Sequence, residues 1–246
     1  MSFENTLTDQ SAANTFAEHG TVGYTTGKYG QALDLDGSND IYLAGNLGLA
    51  YNAAQSYSFY FKIKNGDIGM LYDNWYQGNP GTYYQLEWNG TILNDNHYGE
   101  FSFTDDGAWH HLVMSSDGSG TGGRSYYLDG TFIGTGDNYS GSYDWAATNL
   151  DFGSYFDGSS NNDRLEVDID DFAVFDRALT EEEISFLNTH ELSDCGGSEP
   201  TPTSTDLAAL GNIQFGLGIL IVLALLGYIS YLHGHLFDTK KKQWLS

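Results

Sequence analysis

Three acids at alternate positions, Glu166, Asp168 and Asp170, stand in the run EVDIDDFAVF. In an extended strand residues two apart share a face, so these carboxyls line one side while Val167 and Ile169 point to the other. An acidic surface of this kind offers oxygen ligands to hard cations such as Ca²⁺. A second group is aromatic. The stretch YDNWYQGNPGTY (72–83) holds Tyr72, Trp75, Tyr76 and Tyr83 among amides, with Trp88 and Tyr98 beyond it. Exposed rings stack on sugar faces and amides supply hydrogen bonds, the mix that binding surfaces use. The competing use of such rings is core or cross-strand packing, expected for half of them, and Trp109 and Tyr127 read as core. His110 and His111 are neighbours on a strand and point opposite ways, so they do not share a metal. Cys195 is the only cysteine, which excludes an intrachain disulfide and leaves only a link between two copies. Asn89-Gly90-Thr91 and Asn138-Tyr139-Ser140 fit glycosylation sequons.

Strands must position these groups. The 246 residues include 31 Gly, 18 Tyr and only 3 Pro, and short Tyr-rich runs alternate with Gly, Asn, Asp and Ser turns. Strands are predicted in GKYGQALDLDGSNDIYL (27–43), YSFYFKIK (57–64), GMLYDNWY (69–76), YYQLEWNG (83–90), FSFT (101–104), WHHLVMSSD (109–117), RSYYLDGTFIG (124–134) and NLDFGS (149–154). The run from Val167 is a further strand, and after it the period changes. Thr180 stands three residues before Glu183, the capping-box spacing, and Ile184, Phe186 and Leu187 give a short helix an apolar side. The expectation is an all-β fold, a two-sheet antiparallel jelly-roll sandwich closed by one small helix.

Charge and hydropathy divide the chain. Residues 1–200 hold 31 of the 33 acids and six of the nine bases. Nucleic acid is excluded as a partner, because phosphate contacts need clustered Lys and Arg. The domain is predicted over 1–189, followed by a Gly-, Pro-, Ser- and Thr-rich linker at 190–206. Composition then inverts: FGLGILIVLALLGYISYL (215–232) has no charge, and the region 207–237 is long enough for a single transmembrane α-helix. Tyr228 and Tyr231 near its far end, then Lys240, Lys241 and Lys242 in the tail 238–246, place the C-terminus in the cytoplasm and the β domain outside. The first residues, MSFENTLTDQ, show no secretory signal, which stands against that topology unless the true start lies upstream, insertion is unusual or the domain stays where it is made.

Four patterns in order resemble the laminin-G-like, concanavalin A-like lectin/glucanase superfamily. They are TTGKYGQALDLDGSNDIYL, SYSFYFKIK, AWHHLVMSSDG with SYYLDGTFIG, and DIDDFAVFDRALTEEEI. The resemblance covers residues 1 to about 188 and implies a jelly roll of two curved sheets. By resemblance, Ca²⁺ would be held by Asp9 and Asp170 with a carbonyl near Asn14, in a structural role. Glu166, Asp168 and Asp170 are also similar to the E-x-D-x-E signature of retaining β-glucanases of this fold. That chemistry needs a nucleophile and an acid/base roughly 5 Å apart, and Asp170 is one methylene shorter than the signature's last Glu. The chain is therefore expected not to be an enzyme.

The leading expectation is a membrane-anchored, non-enzymatic recognition module, lectin-like or adhesin-like, displayed outside the membrane toward a glycan or protein partner. The alternative is a structural accessory subunit of a membrane complex or virion, with the jelly roll packed on protein neighbours. A glycoside hydrolase is a distant third.

Overall fold

The computed structural model describes residues 4, 7, 16–43, 53–76, 84–95, 99–119, 122–136, 148–156, 161–162 and 164–192. Two seven-stranded sheets dominate it. The first runs, in spatial order, β1 (Phe16–His19), β4 (Asp40–Leu43), β13 (Thr148–Phe152), β6 (Gly69–Tyr76), β7 (Tyr84–Trp88), β8 (Ile92–Asp95) and β9 (Gly99–Ser102). The second runs β12 (Thr131–Gly136), β11 (Arg124–Leu128), β10 (His110–Ser116), β5 (Gln55–Ile63), β16 (Glu166–Phe175), β3 (Gln31–Asp36) and β2 (Gly23–Thr26). All their pairings are antiparallel, and neighbours in space are often far apart in sequence, as a jelly-roll sandwich requires. A small hairpin of β14 (Tyr155–Phe156) and β15 (Asn161–Asn162) lies against β6.

Period-2 alternation fills the space between the sheets. Leu33, Leu35, Phe59, Phe61, Leu112, Met114, Val167 and Ile169 enter from the second sheet. Ile41, Tyr72, Leu86, Trp88, Leu93, Leu150 and Phe152 meet them from the first. Phe152 packs edge-on to Phe59 and Phe172 with ring centroids 5.5 and 4.8 Å apart. Burying each such side chain contributes about 1.5–3 kcal/mol.

The alternation fails at one place for a physical reason. Asp170 faces Tyr60 and Ala173 faces Ser58, so β16 carries one extra residue against β5. Asp171 takes φ 47°, a left-handed conformation that Asp tolerates better than most residues. The bulge returns Phe172 to the core.

The helix α1 (Glu181–Leu187) starts as its spacing predicts. The Thr180 side chain accepts from the Glu183 N–H, and the Glu183 carboxylate accepts from the Thr180 N–H at 2.9 Å. Arg177 grips the same carboxylate with two bonds of 2.7 Å, which holds the Glu183 acid down to about 2. Ile184 and Leu187 pack with Val113 and Leu179 on the outer face of the second sheet.

Several boundaries differ from expectation. The strand at 101–104 begins earlier, at Gly99, and Trp109 is half-buried instead of core. The domain continues past 189, because the Leu192 N–H donates to Asp171 Oδ2 at 2.8 Å. Residues 207–237 lie outside the described residues. Among the described residues, no helix is long and apolar enough to cross a membrane.

Candidate functional site

The sandwich has two outer faces, and one of them is already occupied. Over the second sheet, Tyr60 Oη donates to the Leu187 carbonyl at 3.0 Å, and Ser58 Oγ meets His111 Nε2 at 2.8 Å. Burial pushes the His111 imidazole down to about 4, so it stays neutral. His110 points the other way, toward Phe103, and reaches Asp129 and Asp106 at 2.8 and 3.1 Å. The two histidines diverge, as strand geometry demands.

Further along the same face, Lys64 lies between Asp34 and Asp168. Glu166, Asp168 and Asp170 do share a face, because Val167 and Ile169 take the core. Each is engaged separately, however. Glu166 accepts from Asn65 Nδ2 at 2.6 Å, and Asp168 is ion-paired with Lys64 at 3.2 Å. Asp170, fully buried, accepts the N–H of Tyr29 at 3.0 Å and of Asp171 at 2.8 Å. These carboxyls tie strands and a turn together.

Asp170 also bears on the expected Ca²⁺. Burial, then Asp171, pushes its carboxyl up to about 7 despite the backbone donors. Beside it Asp171 Oδ1 is buried without a hydrogen-bond partner. Two adjacent carboxylates with an orphaned oxygen fit a hard cation. Asp9 and Asn14 lie outside the described residues. Among the described residues, no three His, Cys, Asp or Glu side chains converge on a metal-sized centre.

The outer face of the first sheet is different. Ile41, Phe152 and Tyr72 turn inward, so Asp40, Tyr42, Asp151 and Asp73 turn outward. Tyr42 stacks on His19 with ring centroids 4.4 Å apart and planes 20° from parallel. Both rings are half-buried. Asp40 sits at their base, 2.7 Å from His19 Nδ1 and 3.5 Å from Arg164. The turn before Asp40 is fixed by Asn39, which donates to the Thr21 carbonyl and accepts from the Asp36 N–H, and by Arg164 bonding the Ser38 carbonyl. Next to Tyr42 in register stands Asp151, and next to that Asp73. Burial, with Asp73 and Asp40 nearby, pushes the Asp151 carboxyl up to about 8. The half-buried rings of Tyr42 and His19 can stack on one face of a sugar or a peptide side chain, with the Arg164 guanidinium beside them. Asp40, Asp151 and Asp73 are buried beneath and fix the platform.

The aromatic residues singled out from sequence divide. Tyr72 and Trp88 are each 2% exposed and belong to the core, a correction to their expected place on a binding surface. Tyr72 alternates inward with Leu150 and Phe152, and Trp88 packs edge-on to Phe103 at 4.9 Å. Trp75 pairs with Asn149 and Tyr76 with Thr148 at the end of β6. Tyr83 and Tyr98 lie outside the described residues. Tyr42, His19 and Arg164 were missed, although the polar-apolar alternation Asp40-Ile41-Tyr42 marked Tyr42 as outward.

Solved structures share the sandwich. Domain 4 of AbnA, a GH43 extracellular arabinanase from Geobacillus stearothermophilus, in complex with arabinotriose, aligns with TM-score 0.57 and 21% identity over 76% of this chain and 96% of that one. The binding domain of botulinum neurotoxin DC aligns at TM-score 0.58 in two complexes. With SialylT the identity is 19%, and with rat synaptotagmin II it is 17%, in each case over 76% of this chain and 49% of that one. This chain thus spans about half of those neurotoxin domains. These likenesses establish the fold. No curated protein matches the chain. Residues 26–185 match a family across most of the sandwich, and the chain belongs to the concanavalin A-like lectin/glucanases superfamily.

Proposed function

We propose that this chain is a non-enzymatic recognition module whose ligand, a glycan or a surface protein, docks on the outer face of the first sheet around Tyr42 and His19. The stacked Tyr42–His19 pair above Asp40 and Arg164 carries the reading. The opposite outer face is taken by α1 and by the Lys64 ion pairs. Glu166, Asp168 and Asp170 have structural partners, which supports binding over hydrolysis. The AbnA domain was solved with arabinotriose and the neurotoxin domain with SialylT and with synaptotagmin II, ligands of the two classes proposed here.

In this reading, residues 207–237 anchor the module in a membrane with its C-terminus in the cytoplasm, and Ca²⁺ at Asp170 with Asp9 and Asn14 braces the opening loop. The test is a glycan array with the purified chain, with and without EGTA, repeated on Tyr42→Ala. Glycan binding lost in Tyr42→Ala supports the proposal. A second reading, an accessory subunit packed on protein neighbours, is favoured by the exposed rings of Phe132 and Phe186, which are 51% and 41% exposed. No glycan binding together with stable copurification in a larger assembly would select it.

A further inference from the structure

Three carboxyls on the outer face of the first sheet stand on adjacent strands: Asp40 on β4, Asp151 on β13 and Asp73 on β6. Their exposures are 1%, 2% and 0%. Asp151 and Asp73 are directly opposite each other in the register. Cross-strand neighbours on one face have Cβ atoms about 4.5–5.5 Å apart, close enough for two acids to share a proton, and two like charges there are destabilising.

Among the described residues, the charged and titratable groups placed beside them are Asp40 and Tyr42 from β4, His19 from β1 and Arg164 beyond β15. His19 and Arg164 both turn to Asp40. Asp151 Oδ1 is buried without a hydrogen-bond partner, and burial, Asp73 and Asp40 all disfavour the charged form of that carboxyl. Ionising both acids of the Asp73–Asp151 pair would place two buried negative charges side by side.

We propose that Asp151 keeps its proton at neutral pH as the acid member of a carboxyl pair with Asp73, and that alkaline loss of this proton loosens the β4–β13–β6 face. The device is internal to the fold and independent of whether the face binds a glycan. It would make the strands under Tyr42 sensitive to a mildly alkaline medium.

The experiment follows the full chain, in detergent, from pH 5 to pH 10. Carboxyl carbon NMR reads the Asp151 titration directly in the wild type. Urea unfolding of wild type, Asp151→Asn and Asp73→Asn reads its consequence. The expected result is an Asp151 carboxyl that titrates near or above neutrality and moves downward in Asp73→Asn. Between the ordinary carboxyl range, about 4, and that transition the wild-type folding constant should fall by up to tenfold per pH unit, the slope of one proton, and level off above it. Asp151→Asn should lack this component. Should Asp151→Asn fail to fold, the NMR titration decides alone. An Asp151 carboxyl titrating near 4, or a wild-type slope unchanged in Asp151→Asn, would overturn the proposal. So would stabilisation by Ca²⁺ at pH 9 that Asp151→Asn abolishes and Asp170→Asn keeps, since a cation would then replace the proton.

Discussion

Asp95 of β8 and Arg124 of β11 form an ion pair 2.9 Å long between the two sheets, with side chains 1% and 0% exposed. Tyr126 adds a hydrogen bond to the same carboxylate. Burial and the neighbouring Asp95 charge raise the Tyr126 phenol well above its ordinary range, so it remains a donor. Desolvating two charges is costly, and their attraction offsets that cost only while both are present. Arg124→Met is therefore expected to destabilise the domain by about 3–5 kcal/mol, through the charge left on Asp95. The double variant Asp95→Leu/Arg124→Met should recover most of the loss. Urea unfolding of the two variants and the wild type measures this, and a double variant as unstable as the single one would contradict it.

His111 gives a pH prediction of definite sign. Its folded value is lowered from 6.5 to about 4 by burial beneath α1. The unfolded chain therefore binds more protons between those limits, and this group's contribution to stability is lost as pH falls from about 6.5 through 4. A shift of that size corresponds to roughly 3 kcal/mol at the acid end. Asp151 and Asp170 act in the opposite sense, since their raised values favour the fold as pH falls. The His111→Gln variant should thus show a flatter acid limb than wild type in thermal melts, while the neutral-to-alkaline limb is unchanged. An acid limb identical in both proteins would remove His111 as its cause.

The helix start tests how far local sequence governs a local structure. Thr180→Ala removes the side chain that accepts the Glu183 N–H and should cost about 1 kcal/mol. Glu183→Gln keeps much of the shape but loses the bidentate Arg177 contact. Because Glu183 is held low, its contribution is present at neutral pH and disappears as pH falls through about 2, below the range where most proteins remain folded. Both variants should weaken α1 selectively, which amide exchange at Ile184 and Leu187 would register. Equal exchange in all three proteins would mean that the tertiary cluster around Val113 holds the helix without its cap.

The capping box was legible because it depends on two residues three apart. So were most strands, since alternation over five or more residues fixes which side chains are buried. The bulge at Asp171 was not legible. Asp tolerates the left-handed turn, but this Asp stands inside a β-prone run among several acids with no Gly, Pro or Asn to mark a break. Only tertiary packing shows that Phe172 must reach the core. The binding face was half legible. Density of aromatics pointed to Tyr72 and Trp88, yet ring count does not reveal facing, and their alternation with Leu150, Phe152 and Leu86 put them inside. Tyr42 and His19 come from strands 20 residues apart whose pairing no local pattern discloses, and Arg164 arrives from much further along the chain.

That difference supports a contrast between two tyrosines. Tyr42→Ala removes half of an outward stack and leaves the core intact, so ligand binding should fall at least tenfold with a stability change below about 1 kcal/mol. Tyr72→Ala opens a cavity among Phe59, Phe152 and Tyr57 and should cost about 3–5 kcal/mol, the range for deleting a buried aromatic. Glycan or partner binding and urea unfolding, measured on both variants, give the four values. Binding unaffected by Tyr42→Ala would move the ligand away from this face.

Asp170 sets the last prediction, on Ca²⁺. Without a cation, its raised value means that stability from this group is present at low pH and is lost as pH rises through about 7. A cation needs the deprotonated carboxylate, so binding releases a proton and becomes stronger as pH rises. If Asp170 and Asp171 hold Ca²⁺ with the opening loop, the ion should raise the melting temperature more at pH 8 than at pH 5, and EGTA should reverse it. Asp170→Asn should abolish the response. It should also melt lower than wild type without Ca²⁺ at pH 5, since a carboxamide has one acceptor oxygen where the carboxyl serves the N–H groups of Tyr29 and Asp171 with two. Melting curves indifferent to Ca²⁺ and EGTA at pH 8, with Asp170→Asn still destabilised, would reduce Asp170 to a backbone clamp between β16 and the turn at Tyr29.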